Sequence, residues 1–448
     1  MRPTRKILAG LAVAMALTLG SCAKPPKPVP APVPPAPQPS PAPTQPAPTP
    51  APLPPPVIGE PRLEVALAWD LDSTTIVPLN AVTVSGAALP AGLPLVARVQ
   101  RGAVLLGERS GHRFETLVTG AAAETLWVGL PDSDARLGQP GFLWKGKTWR
   151  GCAKLFVNPR GRLTIAARVP METYLVGVVP GEIGPLADAL VEAGRAQAIA
   201  ARSFTLYYRG RRGLEGFDLF GTVEDQVYGP VENEKPLATR CVESTRGMVA
   251  LSDGQPIRAN YCSTCGGITA EVWEAWPEAS RSYLVSHLDG GVGKDWCSAS
   301  PHFRWHEEWS ATMFLDDLKR FGPQYGVRLP ARGIGTLKDV RVGARSVSGR
   351  VWRLDVVTST GTIAVPAHTL RQVIRRPGNP NGILRSTLFK VAVRRDSRRV
   401  LAVVVSGAGS GHGVGLCQTG ALGMARAGQD GEKIIRHYYT GTDLKKLW

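Results

Sequence analysis

The sequence has no second Cys-x-x-C and no histidine pair to accompany its one such motif, Cys262-Ser263-Thr264-Cys265, which argues against a zinc knuckle of ordinary spacing. It has no internal repeat of fixed period, so nothing points to a solenoid or a propeller. Its glycine-rich segment, Gly407 to Gly415, lacks the Lys-Ser/Thr of a phosphate loop and the spacing of a dinucleotide fingerprint, which sets aside nucleotide binding of those kinds. Acidic residues are short, with 36 Asp+Glu against 53 Lys+Arg, and the net charge is +17. The basic residues are spread along the chain instead of forming a tail. A polyanion fits such a balance, as do plain solubility and genome bias.

At the N-terminus, Arg2, Arg5 and Lys6 precede an apolar stretch from Ile7 to Leu19 that ends in Leu19-Gly20-Ser21-Cys22. The stretch is too short for a comfortable transmembrane helix, and small residues before a cysteine suit a lipoprotein signal peptidase. Residues 1–21 are therefore expected to be a signal peptide and Cys22 to carry lipid, with an ordinary signal peptide and a chance cysteine as the competing reading. Membrane attachment would then run through the N-terminal lipid. In a Gram-negative envelope Ala23 after the cysteine is compatible with the periplasmic face of the outer membrane. Residues 22–57 continue as a tether of Pro, Ala, Gln, Thr and Ser that cannot bury a core and is semi-rigid. Export makes nucleic acid a poor partner. A glycan bearing the lactyl carboxylates of muramic acid is an acidic polymer in the right compartment. It also makes Cys152, Cys241, Cys262, Cys265, Cys297 and Cys417 candidates for disulfides.

About 390 residues remain, enough for one large or two modest cores. Residues 58–144 read as an N-terminal β region, with short apolar or alternating runs such as Leu63–Ala68, Leu95–Val99 and Leu126–Leu130; Lys154–Val157 and Leu163–Ala167 continue the pattern. After Pro170 an apolar run, Tyr174 to Val179, is expected to end at Pro180-Gly181. Leu186 to Tyr208 then reads as a helix, with Ala189, Ala193, Ala196, Ala200 and Ala201 at helical spacing. Further strands are expected at Met248–Leu251, Ile257–Tyr261, Val340–Val342, Val351–Val357 and Leu401–Val405, and helices at Ala311–Phe321, Leu422–Ala427 and Glu432–Tyr439. The fold class is mixed α+β, a β-rich core with a central Ala-rich helix packed against sheet.

Several separated segments, in one order, carry a family resemblance. They include Glu172-Thr173-Tyr174-Leu175-Val176-Gly177-Val178-Val179-Pro180-Gly181-Glu182, Ala193 to Phe204, Gln226-Val227-Tyr228-Gly229, Tyr261-Cys262-Ser263-Thr264-Cys265-Gly266-Gly267, Ser300-Pro301-His302-Phe303-Arg304-Trp305 and Gly411-His412-Gly413-Val414-Gly415-Leu416-Cys417-Gln418. Over residues 145–448 the chain resembles the SpoIID/LytB family of lytic transglycosylases and amidase enhancers. That resemblance implies a catalytic domain cleaving MurNAc-GlcNAc strands of peptidoglycan, denuded of stem peptides in the sporulation enzymes, to leave 1,6-anhydroMurNAc ends. It implies Glu182 as the general acid and base. The alternative function is a non-catalytic peptidoglycan-binding module that stimulates an N-acetylmuramoyl-L-alanine amidase, and a Cys/His hydrolase is a third option without support in the spacing.

Around Glu182 the apolar Val178, Val179 and Ile183 could supply the desolvation that an acid needs near neutral pH. Arg202 reads equally as a carboxylate or sugar ligand and as a helix-end arginine paired with a structural acid. Gln226 and Tyr228 combine an amide with an aromatic platform for sugars, against a core tyrosine with a satisfied hydroxyl. Ser263, Thr264, Gly266 and Gly267 offer small residues and backbone amides to a bulky polysaccharide. His412 and Gln418 are expected beside the cleft. The resemblance pairs Cys265 with Cys297 as a disulfide. Some relatives hold zinc just before the Gln-x-Tyr segment, but Phe217 to Asp225 has lost the soft ligands there, so no metal and no cofactor are expected.

Overall fold

The structure, a computed structural model, describes residues 59–129, 139–291 and 293–448. The expected signal peptide, Cys22 and the proline-rich tether lie outside these residues. Seven helices occur among the described residues: α1 (Met171–Ile183), α2 (Val191–Tyr208), α3 (Pro236–Ser244), α4 (Ala311–Phe321), α5 (Ala367–Val373), α6 (Gln418–Arg426) and α7 (Gly431–Tyr438). Among the described residues strand at 40% outweighs helix at 24%, so the fold is mixed α+β and β-rich.

Most of the strands up to Pro170 belong to two sheets. A five-stranded sheet runs in the order Leu219–Phe220, Arg62–Leu71, Leu163–Pro170, Cys152–Val157, Leu126–Gly129. Arg62–Leu71 is antiparallel to Leu163–Pro170, with Leu63 opposite Val169 and Val65 opposite Ala167. All four of these side chains are fully buried. A six-stranded sheet runs from Lys147–Arg150 through Pro140–Trp144, Ser73–Pro78, Leu95–Gln100 and Ala103–Ser110 to Arg113–Thr119. Both sheets cross residue 144, where the expected N-terminal β region meets the start of the resemblance, because pairing between distant strands ignores that boundary. Their apolar faces share one core with α1, α2 and the C-terminal helices.

Helix α1 is apolar nearly all round, and such a helix must be enclosed. Every residue from Met171 to Val179 is buried. The expected break at Pro180-Gly181 does not occur: the helix runs through Pro180 to Ile183 and ends at Gly184, whose φ of 78° suits a residue without Cβ. Pro180 sits in the last turn, where losing a backbone donor costs little cooperativity because few bonds follow it. The chain then bends by 99° into α2. Ala193, Ala196, Ala200 and Ala201 are fully buried, as their spacing requires, whereas Ala189 lies exposed in a short 3-10 turn. The small face lets α2 lie against α1, α3, α6 and α7 as well as the strand Met248–Ser252, so its partners are helices more than sheet. Among the described residues no single helix is long and apolar enough to cross a membrane.

A second core, centred on Trp305, Trp309, Phe314, Leu318, Val351, Leu354 and Val403, is built from residues 305–405 alone. Two three-stranded sheets, Arg304–Ser310/Arg399–Ala408/Phe389–Asp396 and Leu337–Arg345/Val351–Thr358/Gly361–Pro366, enclose it with α4 and α5. Elsewhere the strand expected at Ile257–Tyr261 is confined to Tyr261–Cys262, which pairs in parallel with Leu416–Cys417. That pairing brings the two cysteine segments side by side across more than 150 residues of chain.

One ion pair ties the two central helices together. The Arg202 guanidinium donates to both oxygens of Glu172 at 3.0 and 2.6 Å, with side-chain exposures of 0% and 1%. Glu172 also accepts from the Gly247 N–H at 3.1 Å and the Trp448 indole at 3.0 Å, and Arg202 reaches the Met248 carbonyl at 3.0 Å. Arg202 is thus a scaffold residue and not a sugar ligand. Replacing one partner leaves the other charge buried and alone, so Arg202→Met should lower the unfolding free energy by about 3–5 kcal/mol in urea denaturation. A loss below about 1 kcal/mol, the value of a surface pair, contradicts this placement.

Candidate active site

Glu182 stands in the last turn of α1, half-buried, at the end of a glycine-lined approach. A Cβ on Gly177 would lie 2.6 Å from the Tyr228 ring and 2.8 Å from the Gly229 carbonyl, and one on Gly181 would lie 3.4 Å from the Val227 carbonyl. Glycine one helical turn apart therefore lets the segment Gln226–Gly229 lie directly on α1. The contact delivers the Val227 N–H to Glu182 Oε1 at 2.9 Å.

Two side chains from remote segments complete the surroundings, the Gln418 amide and the Tyr261 hydroxyl, which stand close enough to favour the charged carboxylate. Burial pushes the Glu182 carboxyl above its ordinary range, and the bonds from Val227, Gln418 and Tyr261 pull against it without prevailing. None of the groups bonded to Glu182 is a second carboxylate.

Gln226 is fully buried and sets the direction of this network. Its Oε1 accepts from Tyr174 at 3.1 Å and from Thr205 at 2.6 Å, so its Nε2 is left to donate to the Tyr261 oxygen at 2.9 Å. The Tyr261 proton is then free for Glu182. Gln226 therefore orients a donor and does not meet substrate. Tyr261 and Val227 lie inside the segments that carry the resemblance, and nothing in their local sequence marks them as site residues, because the Gln226 amide meets Tyr261 only in the fold.

Gln418 is the first residue of α6, nearly buried, with its amide 3.5 Å from Gln197 Oε1. His412 stacks on Trp276 at 4.8 Å between centroids, and its Nδ1 accepts the Val414 N–H at 3.0 Å. Burial pushes its pKa down to about 3 and its other nitrogen faces the Tyr261 carbonyl, so His412 is a neutral brace behind Tyr261.

Other expected contacts turn inward. Tyr228 is a core residue packed between Trp149 at 5.4 Å and Tyr174 at 5.2 Å, not a platform. Thr264 is buried with its hydroxyl on Ser300 at 2.8 Å. Gly266 and Gly267 are buried at φ of 86° and 100°, where a Cβ would strike the Ala408–Gly409 backbone and the Asp295 carboxylate at 2.9 and 2.8 Å respectively. They serve close packing and offer no exposed amides. Ser263 is exposed, and its carbonyl receives the Thr419 N–H at 3.0 Å. Two concavities, of about 520 Å³ beside Glu192 and Arg195 and about 830 Å³ beside Lys319 and Lys338, do not include Glu182.

The acidic stretch before Gln226 is structural. Asp218 accepts the Glu64 N–H at 2.9 Å, and Asp225 accepts the Phe220 N–H at 2.8 Å. The expected Cys265–Cys297 disulfide is absent: all six described cysteines are free, with these two sulfurs 3.6 Å apart. The expectation of no metal was drawn from the stretch 217–225, but Cys265, Cys297 and Cys417 converge with Asp289 elsewhere, all four buried.

Comparison with known proteins places a Stage II sporulation protein domain over residues 159–251, the span that holds α1, α2, Glu182 and Gln226. A second family, a domain of unknown function (DUF8618), matches residues 293–415 and so brackets the second core. An uncharacterized protein of Brachyspira hyodysenteriae is 27% identical over 316 residues, 68% of this chain and 74% of that protein. The amidase enhancer of Bacillus subtilis is 29% identical over 60% of this chain, but the match spans only 40% of the enhancer's own length. Stage II sporulation protein D of the same organism is 26% identical over 62% of this chain and 75% of that protein.

A raised carboxyl has a consequence for stability. Below the ordinary glutamate value of 4.5 Glu182 is protonated in folded and unfolded chains alike; as pH rises toward the raised folded value, the unfolded state loses its proton first and the fold is weakened. Glu182→Gln, which cannot ionise, should therefore gain stability over the parent chain as pH climbs above 4.5 and lose that gain below it. Urea denaturation across a pH series checks the sign, and a gain that grows toward acid pH contradicts the assigned shift.

Proposed function

We propose, for a chain whose matches support the SpoIID/LytB family and with it a cell-wall-related, envelope-associated role, that Glu182 cleaves peptidoglycan glycan strands as the acid and base of a lytic transglycosylase. The observation that carries the reading is a lone, half-buried carboxyl held above its ordinary range yet ringed by three donors. Burial favours the protonated form that must give a proton; the Val227, Gln418 and Tyr261 donors favour the carboxylate that remains afterwards. A group balanced between the two states can serve both halves of one reaction.

In that reaction the Glu182 carboxyl protonates the glycosidic oxygen as its bond to C1 of N-acetylmuramic acid breaks, and N-acetylglucosamine leaves with a free hydroxyl. The C6 hydroxyl of the same muramic acid closes onto C1 and returns its proton to Glu182. No water is consumed, and one carboxyl suffices. Hydrolysis of such a bond ordinarily needs two carboxyls at a set separation. The excess of basic residues suits a strand bearing free lactyl carboxylates, which is the state of muramic acid stripped of its stem peptide.

The second reading, a glycan-binding stimulator of an amidase, draws on the likeness to the amidase enhancer and on the inward turn of Arg202, Gln226 and Tyr228. Incubating denuded glycan strands with the full chain and analysing products by mass spectrometry separates the two. Catalysis predicts 1,6-anhydro ends whose rate of formation falls by about 10²–10⁴ in Glu182→Gln; strand binding with no such ends in the parent chain supports the stimulator. Tyr261→Phe removes one donor that favours the carboxylate and so raises the Glu182 pKa further. Its pH–rate profile should keep activity to higher pH than the parent's on the alkaline limb, and a shift toward acid contradicts the assigned bond.

A further inference from the structure

Four side chains outside the Glu182 network meet in one buried cluster. Cys265 follows the strand Tyr261–Cys262, Asp289 and Cys297 flank the short hairpin Gly290–Asp295, and Cys417 is the N-cap of α6. Their ligand atoms all lie within 4.8 Å of one another, and each residue is buried. Cys265 Sγ is 3.6 Å from Cys297 Sγ and 2.9 Å from Asp289 Oδ2. Four-coordinate zinc with sulfur at about 2.3 Å places its sulfurs about 3.8 Å apart, close to the observed spacing. A disulfide needs about 2.05 Å and could use only two of the three thiols.

The groups behind the cluster are those of a ligand set. Asp289 Oδ1 is engaged by the Tyr438 hydroxyl at 2.8 Å and by His437 Nε2 at 3.1 Å, which turns Oδ2 toward the sulfurs. Such outer partners orient a ligating carboxylate. The sulfurs accept backbone N–H groups: Cys417 from Cys265 at 3.2 Å and Gly420 at 3.3 Å, and Cys265 from Gly267 at 3.4 Å. Backbone donors of this kind favour a negatively charged sulfur. Arg350, fully enclosed, donates to the Cys265 and Ile268 carbonyls at 2.9 and 3.1 Å and brings a positive charge to the cluster.

We propose that Cys265, Asp289, Cys297 and Cys417 bind one tetrahedral zinc ion, which pins the start of α6 and so holds Gln418 beside Glu182. Three thiolates and a carboxylate carry four negative charges; the ion offsets two and Arg350 one more. Each thiol gives up its proton to solvent as its sulfur binds the metal, and no redox step is involved. A closed four-ligand set without an open position makes the site structural rather than catalytic. Atoms this close leave room for one ion and not for a cluster.

The test is metal content, independent of any activity on glycan. The full-length chain, purified without chelator or added metal, should carry near-stoichiometric zinc by inductively coupled plasma mass spectrometry. Cobalt in its place should give a tetrahedral spectrum with a thiolate-to-cobalt charge-transfer band. Cys417→Ser should lose both signals. As that variant could also disturb folding, Asp289→Asn, nearly identical in shape, provides the second arm: zinc affinity in chelator competition should fall about 10–100-fold while the circular dichroism spectrum is unchanged. Cys241→Ser, outside the cluster, should retain full zinc. Metal-free protein with a Cys265–Cys297 disulfide in peptide mapping and no cobalt spectrum after reduction overturns the proposal, as does zinc that is unaffected in Asp289→Asn and Cys417→Ser.

Discussion

The buried pair of Glu172 and Arg202 sets the geometry of everything around it. Two charges removed from water are tolerated only when nearly every donor and acceptor is matched, and here the carboxylate takes the guanidinium, a backbone N–H and the Trp448 indole while the guanidinium also reaches backbone carbonyls. The pair thereby joins the start of α1 to the middle of α2, to the strand at Met248 and to the C-terminal residue. Glu182 lies ten residues further along the same helix, about 15 Å by helical rise. A helix buried throughout from Met171 to Val179 transmits that anchoring, so the carboxyl in its last turn inherits a fixed position.

At that far end the controlling feature is contact without side chains. Gly177 and Gly181 allow the 226–229 segment to touch the helix, and the same segment supplies both the Val227 N–H and the Gln226 amide that aims Tyr261. Gln418 arrives at the start of α6. The three donors on Glu182 come from positions 227, 261 and 418, so the site exists only in the folded chain. Its chemistry is a balance between burial, which favours the acid, and those donors, which favour the anion; burial wins and keeps the group able to give a proton.

Arg202, Gln226, Tyr228, Thr264, Gly266 and Gly267 stand in recognisable segments because the fold needs them, not because they face a ligand. A polar residue that completes a buried network and one that meets a sugar look alike in a linear sequence. Which of the two it is depends on whether its hydrogen-bonding atoms are met from inside, and that is a property of neighbours far away in the chain. The free thiols follow the same logic. Cys262-x-x-Cys265 read as an isolated pair, whereas the partners of Cys265 are single cysteines and one aspartate with no motif spacing between them.

Local pattern was enough for the β-rich first third, for the alanine-lined α2 and for α4, since period and small-residue spacing depend on near neighbours; Glu182 was marked by the resemblance instead. The helix through Pro180, the short α3 and α5, and the reduced strand at Tyr261 were not legible, because packing overrode a local breaker or a weak propensity. By itself the sequence determined the class of fold, the resemblance and Glu182 as the candidate carboxyl. Only the tertiary structure decided which polar residues surround that carboxyl, which form the scaffold and which thiols meet, because burial and hydrogen-bond pairing are set by segments that the linear order keeps apart.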